Sequence, residues 1–369
     1  VGRWSGYKIM NISTKLLKAA AGQAVGAGLD VDDVFSIYTY TGTGAQQTIN
    51  NGLDLLNEGG LVWVKNRTPA TTNDHSLFDS ETVTGSTFPV IQKAWESNRA
   101  GTLGGRQPGF TFTSTGFKTA SNGRQDTDES GIDFVTWSFR RAPKFFDVVN
   151  YTGDGNTSKT ISHNLGAVPG MMIVLGQSTG DYWVYHRDVG NTKYLELNKT
   201  LNEITSSSAW NNTTPTDTQF TVGNGIPVNY SGYQYTVYLF AHNDGDGEFG
   251  PDSDQDIIKC GSYTGNESVD GPEINLGFEP QFIVAKQKNG GTGDWFVVDT
   301  MRGLNVGNTD EFLMWNLNST TTTALGDMIA ITPTGFKLVA QDHRLNEPDD
   351  FIYMAIRRGP LAAPTDATK

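Results

Sequence analysis

The densest group of side chains able to do chemistry is "HNDGDGEFGPDSDQD", residues 242–256, where Asp244, Asp246, Glu248, Asp252, Asp254 and Asp256 share one Gly-rich stretch. Closely spaced carboxylates on a turn-rich loop are the donor set for a hard cation such as Ca2+. Asp252-x-Asp254-x-Asp256 has the opening rhythm of an EF-hand loop, but Ile257 stands where the turn-making Gly belongs and no bidentate Glu closes it. Two expectations follow: a Ca2+ site on those six acids, or a solvated acidic linker and no cofactor.

Other chemistries find less to work with. The five histidines, His75, His163, His186, His242 and His343, make no H-E-x-x-H pair, so zinc hydrolysis has no ligand set. The single cysteine, Cys260, excludes an intrachain disulfide and, at the start of a strand-like run, reads as a small buried hydrophobe. There is no G-x-S-x-G elbow and no G-x-x-x-x-G-K-[ST] loop. "GTGAQQ" and "GDGNTS" lead into strand patterns, which offer no helix N-terminus to an anion. A glycosidase needs two facing carboxylates. The acids read at matching places are Asp181 and Asp294, beside Trp183 and Trp295, and Asp at a strand entry is ordinary turn chemistry. No enzymatic activity is expected.

The elements that would position these groups come in three copies. Tyr-Thr-Gly occurs at 40–42, 151–153 and 263–265, spaced by 111 and 112 residues. Asn-Leu-Gly recurs at 164–166 and 275–277, each with a Pro after two more residues; the first unit keeps only the apolar run Leu61–Lys65 at that place. A second strand reads "DYWVYH" (181–186), "DWFVVD" (294–299) and, more weakly, "HSLFDS" (75–80). "SAWNN" (208–212) resembles "LMWNL" (313–317), and each copy closes on an aromatic strand: "FVTWSFRR", "YTVYLFAH" and "FIYMAIRR". Short Val/Ile/Tyr/Phe/Trp/Thr runs punctuated by Gly, Asn, Asp and Pro predict an all-β fold: three tandem β-sandwich, jelly-roll-like units. The boundaries are 34–145, 146–244 and 257–361, with an acidic linker at 245–256 and a C-terminal tail at 362–369. Both faces of the closing strands carry bulk, which places them inside a layered structure or beneath another subunit.

Residues 1–33 differ. "STKLLKAAAGQAVGAG" predicts a short helix capped at Ser13 or Thr14, with Leu16, Leu17 and Ala20 available to dock; this segment is expected to be the anchor. The chain of 369 residues has 43 Gly, 18% charged residues and a net charge of −13. That charge repels phosphate backbones and anionic lipid, and no run of about 20 apolar residues exists, so neither nucleic-acid binding nor membrane insertion is expected.

"STKLLKAAAGQAVGAGLDVDDVFSIYTYTG", the "FRRAPKFFDVVNYTG" junction, "HNLGAVPGMMIV", "YLFAHNDGDG" and "DIIKCGSYTG...DGPEINLGFEPQFIVAK" resemble a family of large structural proteins of marine tailed bacteriophages, the cyanophages in particular, described as tail-fibre-like or virion-associated. The resemblance implies a virion component, with other virion proteins of the tail, adaptor or portal-proximal region as partners and no catalytic residue; virion appendages assemble symmetrically, often as trimers, so a homo-oligomer such as a trimer is expected. Repeated β units that touch only their neighbours would extend the reach of such an appendage. Two other readings remain open: a carbohydrate-binding adhesin gripping host surface glycans through exposed aromatics, and a capsid decoration protein.

Overall fold

The computed structural model describes residues 28–68, 73–82, 90–91, 95–97, 109–120, 126–177, 180–304, 310–323, 326–341 and 344–359. The expected anchor side chains Thr14, Leu16, Leu17 and Ala20, His343, and the tail at 362–369 lie outside them. The first third runs through α1 (Val31–Val34), β1 (Phe35–Thr41), β2 (Thr48–Asn50), α2 (Leu55–Glu58), β3 (Gly60–Asn66), β4 (Ser76–Asp79), β5 (Val90–Ile91), β6 (Phe110–Thr113), β7 (Gly116–Lys118) and β8 (Asp133–Arg140). The second runs through β9 (Phe146–Thr152), β10 (Lys159–Ser162), β11 (Pro169–Gly176), β12 (Trp183–His186), β13 (Lys193–Glu196), β14 (Ile204–Thr205), α3 (Ser207–Trp210), β15 (Gln219–Val222), α4 (Ile226–Asn229) and β16 (Gln234–Ala241). The third holds β17 (Ile258–Thr264), β18 (Glu273–Asn275), β19 (Pro280–Gln287), β20 (Trp295–Asp299), β21 (Glu311–Met314), β22 (Thr322–Thr323), β23 (Ile329–Thr332), β24 (Gly335–Leu338) and β25 (Asp350–Arg357).

The fold is all-β, and one strand order serves all three units. Each large sheet begins first strand, last strand, third strand, fourth strand: β1-β8-β3-β4, β9-β16-β11-β12-β13-β14 and β17-β25-β19-β20-β21-β22. A smaller sheet is built on the second strand paired with one near the end: β2-β7-β6-β5, β10-β15 and β18-β24-β23. First-with-last and second-with-penultimate pairing is the nesting of a jelly roll, after which the later strands continue as hairpins within the large sheet. The ladders are antiparallel and in common register. A single row across each large sheet reads Phe35–Phe139–Leu61–Asp79, then Phe146–Phe240–Met171–His186, then Ile258–Ile356–Phe282–Asp299.

This register corrects one match made on sequence. Trp315 follows Met314, which pairs with Phe296, and Glu196 pairs with Trp183 in the same way. "LMWNL" therefore corresponds to "LELNK" (195–199), while Trp210 of "SAWNN" sits on α3. A shared Trp-Asn pair misled the comparison because indole and amide suit both a hairpin and a helix end.

Alternation explains the bulk on both faces of the closing strands. In β25, Phe351, Tyr353 and Ala355 meet Ile274, Phe336 and Leu338 of the small sheet, forming the unit's own core. Phe134 of β8 does the same with Ile49, Phe112 and Phe117. The opposite faces, Val135, Trp137 and Phe139 of β8 and Ile352, Met354 and Ile356 of β25, enter a single cluster shared by all three units. Phe139 lies 5.3 Å from Phe240 and 6.3 Å from Phe282, and Phe35 lies 5.4 Å from Phe282, so aromatics from the three units meet directly. Each such ring, fully withdrawn from water, contributes about 1.5–3 kcal/mol. The units therefore do not follow one another in a line, as expected for a reach-extending repeat. They close on each other, and the second subunit anticipated over the apolar faces is supplied by the same chain.

The stretch at 245–256 is also more than a solvated linker. Phe249 is 2% exposed, bridges to Leu29 in parallel and to Gln255, and packs against Phe145 with ring centroids 6.3 Å apart. Val31 and Val34 of α1 are buried in the same shared cluster, and the Asp30 amide donates to Asp33 Oδ2 at 2.9 Å to start the helix. The chain folds its acidic segment around one buried phenyl ring, a signal overshadowed by the surrounding charge.

Candidate functional site

Tyr-Thr-Gly, the most repeated motif, is a structural clamp. Each tyrosine stacks on the aromatic partner of its closing strand: Tyr40 on Phe134, Tyr151 on Tyr235 and Tyr263 on Phe351, at 5.2, 5.0 and 5.1 Å. Each hydroxyl donates to a backbone carbonyl of the loop before that strand, Thr127 at 2.6 Å, Val228, and Leu345 at 2.9 Å. The threonine hydroxyl bonds the first side chain of the closing strand: Thr41 donates to Asp133, Thr264 donates to Asp350, and Thr152 accepts from Gln234. The glycine admits the loop backbone: a Cβ there would lie 2.1 Å from Glu129 O, 2.2 Å from Tyr230 O or 2.0 Å from Glu347 O. Burial pushes all three phenols above their ordinary pKa, so they remain donors.

The most reactive buried side chains lie in the seams between units, at one equivalent position. Asp79, His186 and Asp299 end the fourth strand of each large sheet and are at most 1% exposed. Asp79 Oδ2 accepts from Tyr238 of the second unit at 2.9 Å. His186 Nε2 lies 3.1 Å from the carbonyl of Tyr353 in the third. Asp299 Oδ2 accepts from Trp137 Nε1 of the first at 2.9 Å. Tyr238 and Trp137 themselves occupy equivalent positions, two residues before Phe240 and Phe139. The contacts run first to second, second to third and third to first, a closed cycle. Burial raises the Asp79 carboxyl and lowers His186 to about 4, keeping the imidazole neutral. Asp299 also takes Arg302 Nε at 2.7 Å, and the Arg302 guanidinium lies over Trp137, 5.4 Å from the ring.

A second set runs the opposite way. His75 and Trp295 are equivalent: His75 Nε2 lies 3.0 Å from the carbonyl of Met314 in the third unit, and Trp295 Nε1 donates at 3.0 Å to that of Glu196 in the second. Their counterpart Tyr182 meets Trp95 of the first unit edge-on at 6.1 Å. His75 Nδ1 accepts from Trp63 Nε1 at 2.8 Å, which fixes the tautomer with the proton on Nε2, and burial holds its pKa well below the usual value. Trp63 stacks on Trp315 at 4.1 Å. Lys65 and Lys286, both fully buried, bond the carbonyls of Asn73 and Asn318, and of Gly293 and Thr200, joining their own unit to the next. Burial lowers both ammonium groups to about 8. The matching residue of the second unit is Leu175.

The candidates from sequence fall differently. Asp181 and Asp294 accept from Asn198 and Asn316, whose own Oδ1 atoms accept the amides of Tyr182 and Trp295, a brace across a hairpin. Asp74 precedes His75 at the corresponding place, and its sequence counterpart for the brace, Asn98, lies outside the described residues. The seven described tryptophans are all buried and present no face for a sugar. Cys260 is buried, its thiol pushed far up by desolvation. The six acids of the 244–256 stretch are not drawn together. Asp256 accepts the amides of Gly245 and Gly247; Asp246 and Glu248 face Lys144, and Asp244 faces Lys259; Asp252 and Asp254 are exposed. Among the described residues no three His, Cys, Asp or Glu side chains converge as a metal site would require. Four of the six acids therefore bond lysines or backbone amides rather than sharing one ligand shell.

A shallow cleft of about 390 Å³ lies where Asp30, Gln255, Glu279, Arg357 and Arg358 meet, with Arg358 paired to Glu279. The family model described as a domain of unknown function, DUF7483, matches residues 30–360. No curated protein matches the chain.

Proposed function

The chain belongs to the DUF7483 family, a domain of unknown function; from its seams and the wording of its sequence we propose that it is a non-catalytic structural protein of a bacteriophage virion, a tail appendage or spike component. One observation carries this reading: six buried side chains capable of chemistry, Asp79, His75, His186, Lys65, Lys286 and Asp299, hold the three units against one another. A buried charge that is fully bonded gives shape and register, not turnover. The wording of the sequence resembles virion proteins, and a rigid closed β body suits a load-bearing part.

An adhesin would need exposed aromatics at matching places. Tyr230 is 47% exposed beside Tyr233, 4.9 Å away, but the loops at the corresponding places read Glu129-Ser130 and Glu347-Pro348. That unrepeated pair is a weaker basis than the committed seams. The test is electron cryomicroscopy of the particle that carries this chain. The reading predicts the three-unit body projecting from the tail, with residues preceding Leu29 entering neighbouring subunits. Density on the capsid lattice would favour decoration, and absence from the particle would overturn the virion assignment.

A further inference from the structure

We propose that each unit is a trimerisation module and that the chain is the single-chain counterpart of a cyclic trimer, so that its seams are recognition surfaces able to bind a free unit in trans. Each unit carries two different faces. One presents Asp79, His186 or Asp299; the other presents the position of Tyr238, Met354 or Trp137. A face that meets its complement on the next copy, repeated around a closed cycle, is the heterologous geometry of a ring. The unit boundaries agree with this: a Cβ on Gly359 would lie 2.0 Å from Asp32 Oδ1, so the third unit closes where the first opens.

The faces also specify which unit follows which. Asp79 and Asp299 each need a donor, and Tyr238 and Trp137 supply them. The third unit has Met354 at that position, which donates nothing, and it is met by His186, whose Nε2 turns to the Tyr353 carbonyl instead. A self-trimer of the third unit would set Asp299 against Met354 and remove a bond from a buried carboxylate, a strongly disfavoured arrangement. The free third unit is therefore recognised by the gap between the other two rather than by itself. The partner chemistry is a β unit bearing a buried carboxylate (Asp299) toward the first unit and a capping lysine (Lys286) with an indole donor (Trp295) toward the second.

The test uses the full chain with a protease site inserted after the exposed Asp252, cut in the folded state. The two pieces are expected to elute together, one to one, and to remain together on dilution to roughly 10 nM, as a large well-packed interface allows. Trp137→Phe in the cut protein is expected to weaken their association about tenfold or more, the loss of a bond to a charged acceptor. Thr264→Ala, which alters a bond inside the third unit, is expected to leave it unchanged. Circular dichroism of the uncut full-chain variants establishes that they remain folded. Separation of the pieces on cutting would overturn the proposal, as would equal weakening by both substitutions.

Discussion

The three clamp tyrosines allow one substitution to be made three times in one molecule. Tyr40→Phe, Tyr151→Phe and Tyr263→Phe each delete a hydroxyl and keep the ring that stacks on Phe134, Tyr235 or Phe351. The loss is one buried hydrogen bond, and the carbonyl of Thr127, Val228 or Leu345 is left without that donor. A net bond contributes about 1 kcal/mol and an orphaned buried acceptor raises the loss toward about 1–3 kcal/mol, so about 1–2 kcal/mol is expected at each site. No partner is shared among the three, so the triple variant should lose their sum, about 3–6 kcal/mol. The assay is equilibrium urea unfolding followed by tryptophan fluorescence and far-ultraviolet circular dichroism. The tryptophans report the seams and the dichroism reports the strands. Coincident curves are expected, because the shared cluster couples the units. Gly42→Ala, Gly153→Ala and Gly265→Ala should each be worse than the matching tyrosine change, since the new Cβ meets backbone oxygen at 2.0–2.2 Å and the loop must move. A neutral Tyr→Phe at any of the three, or alanines milder than the phenylalanines, would refute the clamp.

Further outcomes follow from the seams and the acidic segment. A double-mutant cycle of Trp137→Phe with Asp299→Asn should give a coupling of about 1–3 kcal/mol in unfolding free energy; additivity would show that the 2.9 Å bond is idle. Lys65 and Lys286 titrate near 8 when folded but near 10.5 when unfolded, so the unfolded chain binds more protons between those values and their contribution to stability rises with pH across that window. The Lys65→Met, Lys286→Met protein should lose that rise, measured as the difference from the parent in melting temperature between pH 8 and pH 10.5. Millimolar Ca2+ or a chelator should move the melting temperature by less than about 1 °C, since the acids of 244–256 are paired or dispersed; a shift of several degrees would restore the cation site.

The repeat, the all-β class and the closing strands were legible because period-2 alternation and Tyr-Thr-Gly survive in every copy. The doubly apolar strands were legible too, but alternation records only that a face is covered, not whose atoms cover it. Val135, Trp137 and Phe139 would look the same beneath a second subunit as beneath the third unit. The seam positions escaped notice because Asp79, His186 and Asp299 differ in type. Their common signal was register, the last residue of "HSLFD", "DYWVYH" and "DWFVVD". Lys65 and Lys286 gave a clearer hint, a charge ending an apolar run in two copies out of three. The carboxylates of 242–256 drew attention by number, whereas Phe249 decides the fold of that stretch.

Joining three units in one chain frees each junction to change by itself. In an assembly of identical subunits a substitution is imposed on every junction at once, and a change that suits one contact must suit all. Here Leu175 replaces the clamping lysine in one unit, Met354 replaces the indole or phenol in another, and His186 stands in for a carboxylate opposite it. The body keeps its ring-like packing while becoming addressable at single points. A partner that contacts one such point meets a directional object, because each junction on the nearly symmetric body is chemically distinct.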